Sequence, residues 1–178
     1  MRGVRKLSHS ELVDRRLSPD EVPSIRRHPV TVILQDIRSM YNVGSIFRSA
    51  DAFRIQRLVL TGYTPAPPRA EIHKTALGAD DTVPWVAIRN TMEAIALMKA
   101  DGLRIFAVEL TDSPRPIDTL VAADYPCALV LGNEISGVSN DVLAVCDGAL
   151  EIPMHGVKHS LNVAVAAGIA MYATTRSL

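Results

Sequence analysis

The chain has 178 residues, a length that fits about one domain. With 48% apolar and 21% charged residues, it is not a disordered, collagen-like or low-complexity chain. The net charge is zero, yet residues 1–74 carry 13 Lys/Arg against 7 Asp/Glu, and residues 75–178 carry 6 against 12. The basic first half points to a polyanion partner, with a plain solvated surface as the alternative. Aromatic content of 4% argues against a platform that stacks single-stranded bases. The best apolar run, Val163 to Ala173, is shorter than a membrane span and contains Gly168. The first residues lack the apolar stretch of a signal peptide. Cys127 and Cys146 alone make neither a disulfide framework nor a zinc site, so the expectation is a reduced cytoplasmic protein without a metal.

Residues 1–28 read as a basic extension, with one helical turn near Ser10 to Arg16 and punctuation at Pro23 and Pro29. Val30 to Leu34 is a buried strand. Asn42 to Phe53 is a helix with Val43, Ile46, Phe47 and Ala50 on one face and Asn42 as N-cap. Leu58 to Leu60 is a second strand. A turn-rich stretch from Gly62 to Pro68 and a short helix from Glu71 to Leu77 follow. Thr82 to Ile88 reads as a strand interrupted by Pro84. Thr91 to Ala100 is a helix whose Met92, Ile95, Ala96 and Leu97 share a face. Leu103 to Leu110 is a strand, and Ser113 to Pro116 breaks the chain. Cys127 to Leu131 is an almost wholly apolar strand, as expected when both sheet faces are covered. Asp141 to Cys146 is a short helix, Ala149 to Ile152 a short strand, and Ser160 to Thr174 the last helix. Strands alternate with helices, so the class is α/β with a mainly parallel sheet flanked by helices.

Three segments carry chemistry. In Asn42-Val43-Gly44-Ser45-Ile46-Phe47-Arg48, Gly44 permits a close backbone approach and Arg48 lies one turn further on. A guanidinium beside a helix N-terminus makes an anion site; a capped helix with a surface arginine is the alternative. Gly132-Asn133-Glu134-Ile135-Ser136-Gly137-Val138 ends a buried strand, where open α/β sheets place ligands. Val138 stands where a phosphate-binding loop needs lysine, Glu134 opposes phosphate, and no G-x-G-x-x-G occurs. The alternative is a tight turn between strand and helix. Ile152-Pro153-Met154, then His155 to His159, lead into Ser160-Leu161-Asn162-Val163, where Asn162 falls in the first turn of an apolar helix and must be capped, paired or functional. Without a nearby carboxylate or cysteine, His155 and His159 read as solvated loop residues rather than metal ligands.

Together these segments resemble the three motifs of the SpoU (TrmH-like) RNA ribose 2′-O-methyltransferases of the SPOUT superfamily. Asn42, Gly44 and Arg48 match N-x-G-x-x-x-R. Gly132, Glu134 and Gly137 match G-x-E-x-x-G. Ile152, Pro153, Met154, Ser160, Leu161, Asn162 and Val163 match I-P-M…S-L-N-V. Order and spacing agree over roughly residues 29–178, leaving 1–28 as the extension. The resemblance implies a SPOUT-type fold with a C-terminal trefoil knot, an exception to the rule against threaded loops. It implies S-adenosylmethionine as cofactor, touching Val108, Gly132, Ile152 and Leu161 with Ser160 nearby. It also implies a homodimer with the active site at the subunit interface, where Arg48 would act on cofactor held by the partner subunit. The expected reaction is methylation of a ribose 2′-hydroxyl in RNA, more readily a transfer RNA than a ribosomal RNA. Catalysis would fall to Arg48, with Asn42, Glu134, Ser160 and Asn162 shaping the site. Arginine stays protonated in proteins, so Arg48 is expected to stabilise charge rather than accept a proton. Arg2, Arg5, Lys6, Arg15, Arg16, Arg26 and Arg27 are the candidates for RNA docking, against a disordered or dimer-packing arm. A non-catalytic RNA-binding module and a nucleotide-binding enzyme of another class are the competing readings.

Overall fold

The computed structural model describes residues 3–18, 20–176 and 178; Arg2 lies outside them. Helix α1 (His9–Val13) stands in the extension and buries none of its residues. From His28 the chain runs β1 (His28–Gln35), α2 (Met40–Ala52), β2 (Ile55–Thr61), α3 (Ala70–Ala76), α4 (Ala79–Thr82), β3 (Trp85–Ile88), α5 (Thr91–Ala100) and β4 (Arg104–Val108). It continues with β5 (Arg115–Pro116), β6 (Cys127–Leu131), α6 (Asn140–Val145), β7 (Gly148–Glu151) and α7 (Val163–Arg176). The seven strands form one sheet in the order β3-β2-β1-β6-β4-β7-β5, every pair parallel.

The sheet is covered on both faces, which explains the continuous apolar strands. Val30, Val32 and Leu34 of β1 point into one core with Leu129 of β6, Phe47 of α2 and Ala167 of α7. Ile33 points the other way, into a second core with Val130, Ile95 of α5 and Val142 of α6. Period-2 alternation along each strand divides the residues between the two layers. Helices α2, α3, α4 and α7 therefore lie on one side, α5 and α6 on the other.

Gly44 shows what the first motif's glycine is for. A methyl there would overlap Thr75 Oγ1 and the Ile72 carbonyl oxygen. The close approach is that of α3 against α2, not of a ligand.

Several elements differ from expectation. On α5 the buried residues are Thr91, Ala94, Ile95 and Met98, while Ala96 and Leu97 are exposed. The inward stripe follows the 91/94/95/98 spacing of a helix lying on a sheet. Strand β3 begins only at Trp85, because Pro84 cannot donate to the ladder and residues 79–82 form a turn of helix instead. The last helix begins at Val163 rather than Ser160; residues 160–162 stay extended or irregular because Asn162 caps the helix from outside.

Candidate active site

The carboxyl ends of β1, β4, β6 and β7 meet at one edge of the sheet, and all three motifs lie there. Helix α2 is capped by Ser39, whose Oγ accepts the Asn42 N–H at 3.3 Å. Asn42, expected as the cap, is therefore the third residue of the helix, and its amide is free to face the loop after β6. Asn42 Nδ2 donates to Glu134 Oε1 at 3.0 Å. The backbone N–H groups of Arg38 and Ser39 donate to Oε2 and Oε1 of the same carboxylate, at 3.0 and 3.1 Å. Asn162 Nδ2 donates to Asn42 Oδ1 at 3.1 Å, and Asn162 Oδ1 accepts the Ala164 and Val165 N–H groups at 2.9 and 3.4 Å. One residue from each motif thus joins a single chain, Glu134–Asn42–Asn162. Burial pushes the Glu134 carboxyl up, but the N–H groups of Arg38 and Ser39 and the Asn42 amide outweigh it and hold it below the ordinary carboxylate range.

This arrangement corrects the expected anion site. The N-terminus of α2 is already faced by an anion, the chain's own Glu134. Arg48 lies eight residues after Met40, roughly 12 Å along the axis, too far to converge on those N–H groups. It is exposed, and its guanidinium has no partner among the described residues.

The second motif is a tight turn. Asn133 and Gly137 exchange backbone hydrogen bonds at 3.1 and 2.9 Å. A methyl on Gly132 would overlap the backbone of Gly137 and Val138. Asn133, buried, pins the turn to β1: its Nδ2 donates to the Asp36 carbonyl at 2.8 Å and to Tyr63 Oη at 2.7 Å, while its Oδ1 accepts the Ile135 and Ser136 N–H groups.

Beside this turn lies a cavity of about 450 Å³. Val108, Gly132, Ile152, Ser160 and Leu161, the five residues expected around the cofactor, all line it. Its other walls include Leu143 and Val163. The charged residues that line it are Glu109, Glu134 and Glu151; among the described residues no lysine or arginine lines it, and His159 is the one histidine that does. Glu109 was missed from the sequence. The signal is its place, directly after the apolar run of β4, at the edge where such sheets bind ligands. Its Oε1 accepts the Leu110 N–H at 2.9 Å and its Oε2 the Val138 N–H at 3.0 Å.

The chain's sequence matches the SpoU rRNA Methylase family model over residues 29–172. The chain belongs to the SpoU family. It is 34% identical over 157 residues to the 23S rRNA (guanosine-2′-O-)-methyltransferase RlmB of Nitrosomonas europaea, covering 88% of this chain and 60% of that protein. It is 32% identical over 167 residues to the tRNA (guanosine(18)-2′-O)-methyltransferase of Thermus thermophilus, covering 91% and 82%. The AdoMet-bound rRNA methyltransferase of Sinorhizobium meliloti superposes with a TM-score of 0.79 at 28% identity, over 92% of this chain and 62% of that one. The chain thus spans about three fifths of the length of several relatives it matches. The seven-stranded parallel sheet flanked by helices is the fold the chain shares with this neighbour.

The basic arm is divided. Arg5 donates to both Glu11 carboxylate oxygens at 2.6 and 2.9 Å. Arg27 donates to the Ile55 and Thr82 carbonyls at 3.2 and 2.8 Å, strapping β2 to α4. Lys6, Arg15, Arg16 and Arg26 are exposed. The arm joins the sheet at the start of β1, so the eight residues of that strand, roughly 25 Å, separate its root from the motif edge. His155 and His159 are exposed loop residues. Among the described residues, the group of potential metal ligands is His73, Asp80 and Asp81, on α3 and α4 and outside the cavity. No helix among the described residues is long and apolar enough to cross a membrane.

Proposed function

We propose that this protein transfers a methyl group from S-adenosylmethionine to a ribose 2′-hydroxyl in RNA. The observation that carries this reading is the cavity. Four motif-matched residues and Val108 converge on it, and its three glutamates, with no lysine or arginine among the described residues, suit a ligand of net positive charge. The same lining disfavours ATP and NAD, whose phosphates would meet carboxylates rather than donors. Val108, Gly132, Ile152, Ser160 and Leu161 would hold the cofactor, which supplies an electrophilic methyl on a sulfonium.

The chain's own residues would supply the rest. Asn42, Glu134 and Asn162 fix the loops relative to one another and so align the reacting groups. Arg48, always protonated and unpaired here, would hold a phosphate of the RNA and stabilise charge developing on the 2′-oxygen. Tyr41 and Arg48 are seven residues apart on one exposed face of α2, and Val165 and Tyr172 repeat that spacing on α7. Exposed apolar side chains beside the free arginine support a homodimer in which Arg48 serves the partner subunit's site. The placement of β7 between β4 and the two-residue β5 supports the C-terminal trefoil knot. Residues 29–178 would be the methyltransferase domain and 1–28 an RNA-docking arm, in a cytoplasmic protein whose two cysteines are free thiols. Transfer RNA is the substrate to test first, because the match covers more of the Thermus tRNA enzyme than of the rRNA enzymes; ribosomal RNA is second.

The test is incorporation of tritiated methyl from S-adenosylmethionine into bulk RNA by the wild type and Arg48→Ala. The variant should lose incorporation by on the order of 10²–10³-fold while its cofactor affinity and oligomeric state stay those of the wild type. Wild-type turnover in Arg48→Ala would remove Arg48 from the mechanism. Absence of incorporation by the wild type, with RNA binding intact, would leave a binding module instead.

A further inference from the structure

The cavity's charge has a consequence for which ligand it favours. Glu109, Glu134 and Glu151 are the charged residues of the wall, with no lysine or arginine among the described residues to balance them. They do not share one role. Glu134 accepts three N–H donors from the start of α2 and serves the contact between motifs. Glu109 accepts two backbone N–H groups, which fix where its carboxylate sits but add no countercharge. Glu151 follows Leu150 at the end of β7, and its carboxylate meets no donor among the described residues. A cavity of about 450 Å³ is about 10 Å across, so any charge inside it lies within about one Debye length of both.

We infer that Glu109 and Glu151 make the cavity select its occupant by charge, favouring the cationic methyl donor over its demethylated product. This rests on the methyl-transfer reading. On transfer the carbon–sulfur bond breaks and a carbon–oxygen bond forms. The sulfonium becomes a neutral thioether, and the hydroxyl proton leaves to solvent or phosphate. The bound cofactor thus loses one positive charge with little change in shape. Two unneutralised carboxylates on the wall stabilise the first state and not the second. Donor thereby competes more effectively with product for the cavity, and the enzyme is less inhibited by product than one with an uncharged cavity of the same shape would be. Glu109 and Glu151 are specificity-determining residues in this account, not participants in methyl transfer.

Isothermal titration calorimetry separates the possibilities. S-adenosylmethionine and S-adenosylhomocysteine are titrated separately into the wild type, Glu109→Gln, Glu151→Gln and the double variant, at low and high salt. Each glutamine keeps the shape and removes the charge. The expected result is that each single variant narrows the ratio of product Kd to donor Kd by roughly 3–10-fold, through weaker donor binding at nearly constant product binding. The double variant narrows it further, and salt narrows it in the wild type. A ratio unchanged in all variants, or donor and product weakened in parallel, overturns the inference; the second result assigns the residues to loop support alone. A wild type that binds neither ligand overturns the methyl-transfer reading itself.

Discussion

The two edges of the sheet hold charge in opposite ways. At the carboxyl edge, Glu134 is fixed by three donors from α2, and through Asn42 it reaches Asn162 of the last motif. At the amino edge, the chain's densest run of basic residues leaves the sheet on an arm whose helix α1 buries nothing. Hydrogen bonds between elements hold the first region in place; in the second they fix Arg27, while Lys6, Arg15, Arg16 and Arg26 are exposed. A motif with fixed spacing therefore reports a place in the fold, whereas a charge run reports a composition.

The contrast can be broken at several points. The largest stability effect is expected for Gly44→Ala, which forces a methyl into the Ile72 carbonyl and Thr75 where α3 crosses α2. It should cost about 1–3 kcal/mol, seen as a melting temperature lower by roughly 3–10 °C in differential scanning calorimetry. An unchanged melting temperature would mean that the two helices separate easily. Next is the Asn42–Asn162 link. Asn42→Ala and Asn162→Ala should each destabilise by about 1 kcal/mol. A double-mutant cycle by denaturant unfolding should give a coupling of about 0.5–1 kcal/mol, and simple additivity would show the contact to be idle.

The arm is sharpened by treating its arginines separately. Arg27→Ala should lower stability by about 1 kcal/mol, because it strips a donor from the Ile55 and Thr82 carbonyls. Arg15→Ala, Arg16→Ala and Arg26→Ala should leave the melting temperature unchanged. In the docking account, each should weaken RNA binding and reduce the slope of log K against log salt by up to about 1. If all four behave alike, the division of the arm is wrong.

The smallest effect concerns pH. The Glu134 carboxyl is held below its ordinary value in the folded chain, so its stabilisation is complete above that ordinary value, near 4.5. It is lost as pH falls through the lower folded value. Because Glu134 is largely exposed, solvent screening keeps the effect to a few tenths of a kcal/mol. Between pH 6 and pH 3 the stability of Glu134→Gln should fall slightly less than that of the wild type, and parallel curves would contradict the assignment.

Much of the fold is legible in the sequence, since alternation and helical spacing follow from which faces are covered. The strand Cys127–Leu131 and the helix Thr91–Ala100 stand at their expected bounds. The face of α5 was misread, because an apolar Leu97 carries no mark of whether it meets the sheet or water. The helix starts at α2 and α7 were misplaced for a common reason: an asparagine amide can cap its own helix or reach across to another. Asn162 does both, whereas Asn42 leaves the cap to Ser39. Of the five expected cofactor residues, Gly132, Ile152, Ser160 and Leu161 are legible only through the spacing of their motifs, and Val108 only through the resemblance those motifs carry. Glu109 and Glu151 lay outside those motifs, and only the folded sheet brings them to the same wall.

The most direct test of the central claim is where the methyl group goes. RNA is incubated with the purified protein and labelled S-adenosylmethionine, then hydrolysed in alkali. A methylated 2′-oxygen cannot attack the adjacent phosphodiester, so the account predicts label in alkali-stable dinucleotides. Label recovered only in mononucleotides, as methylated bases, would contradict it.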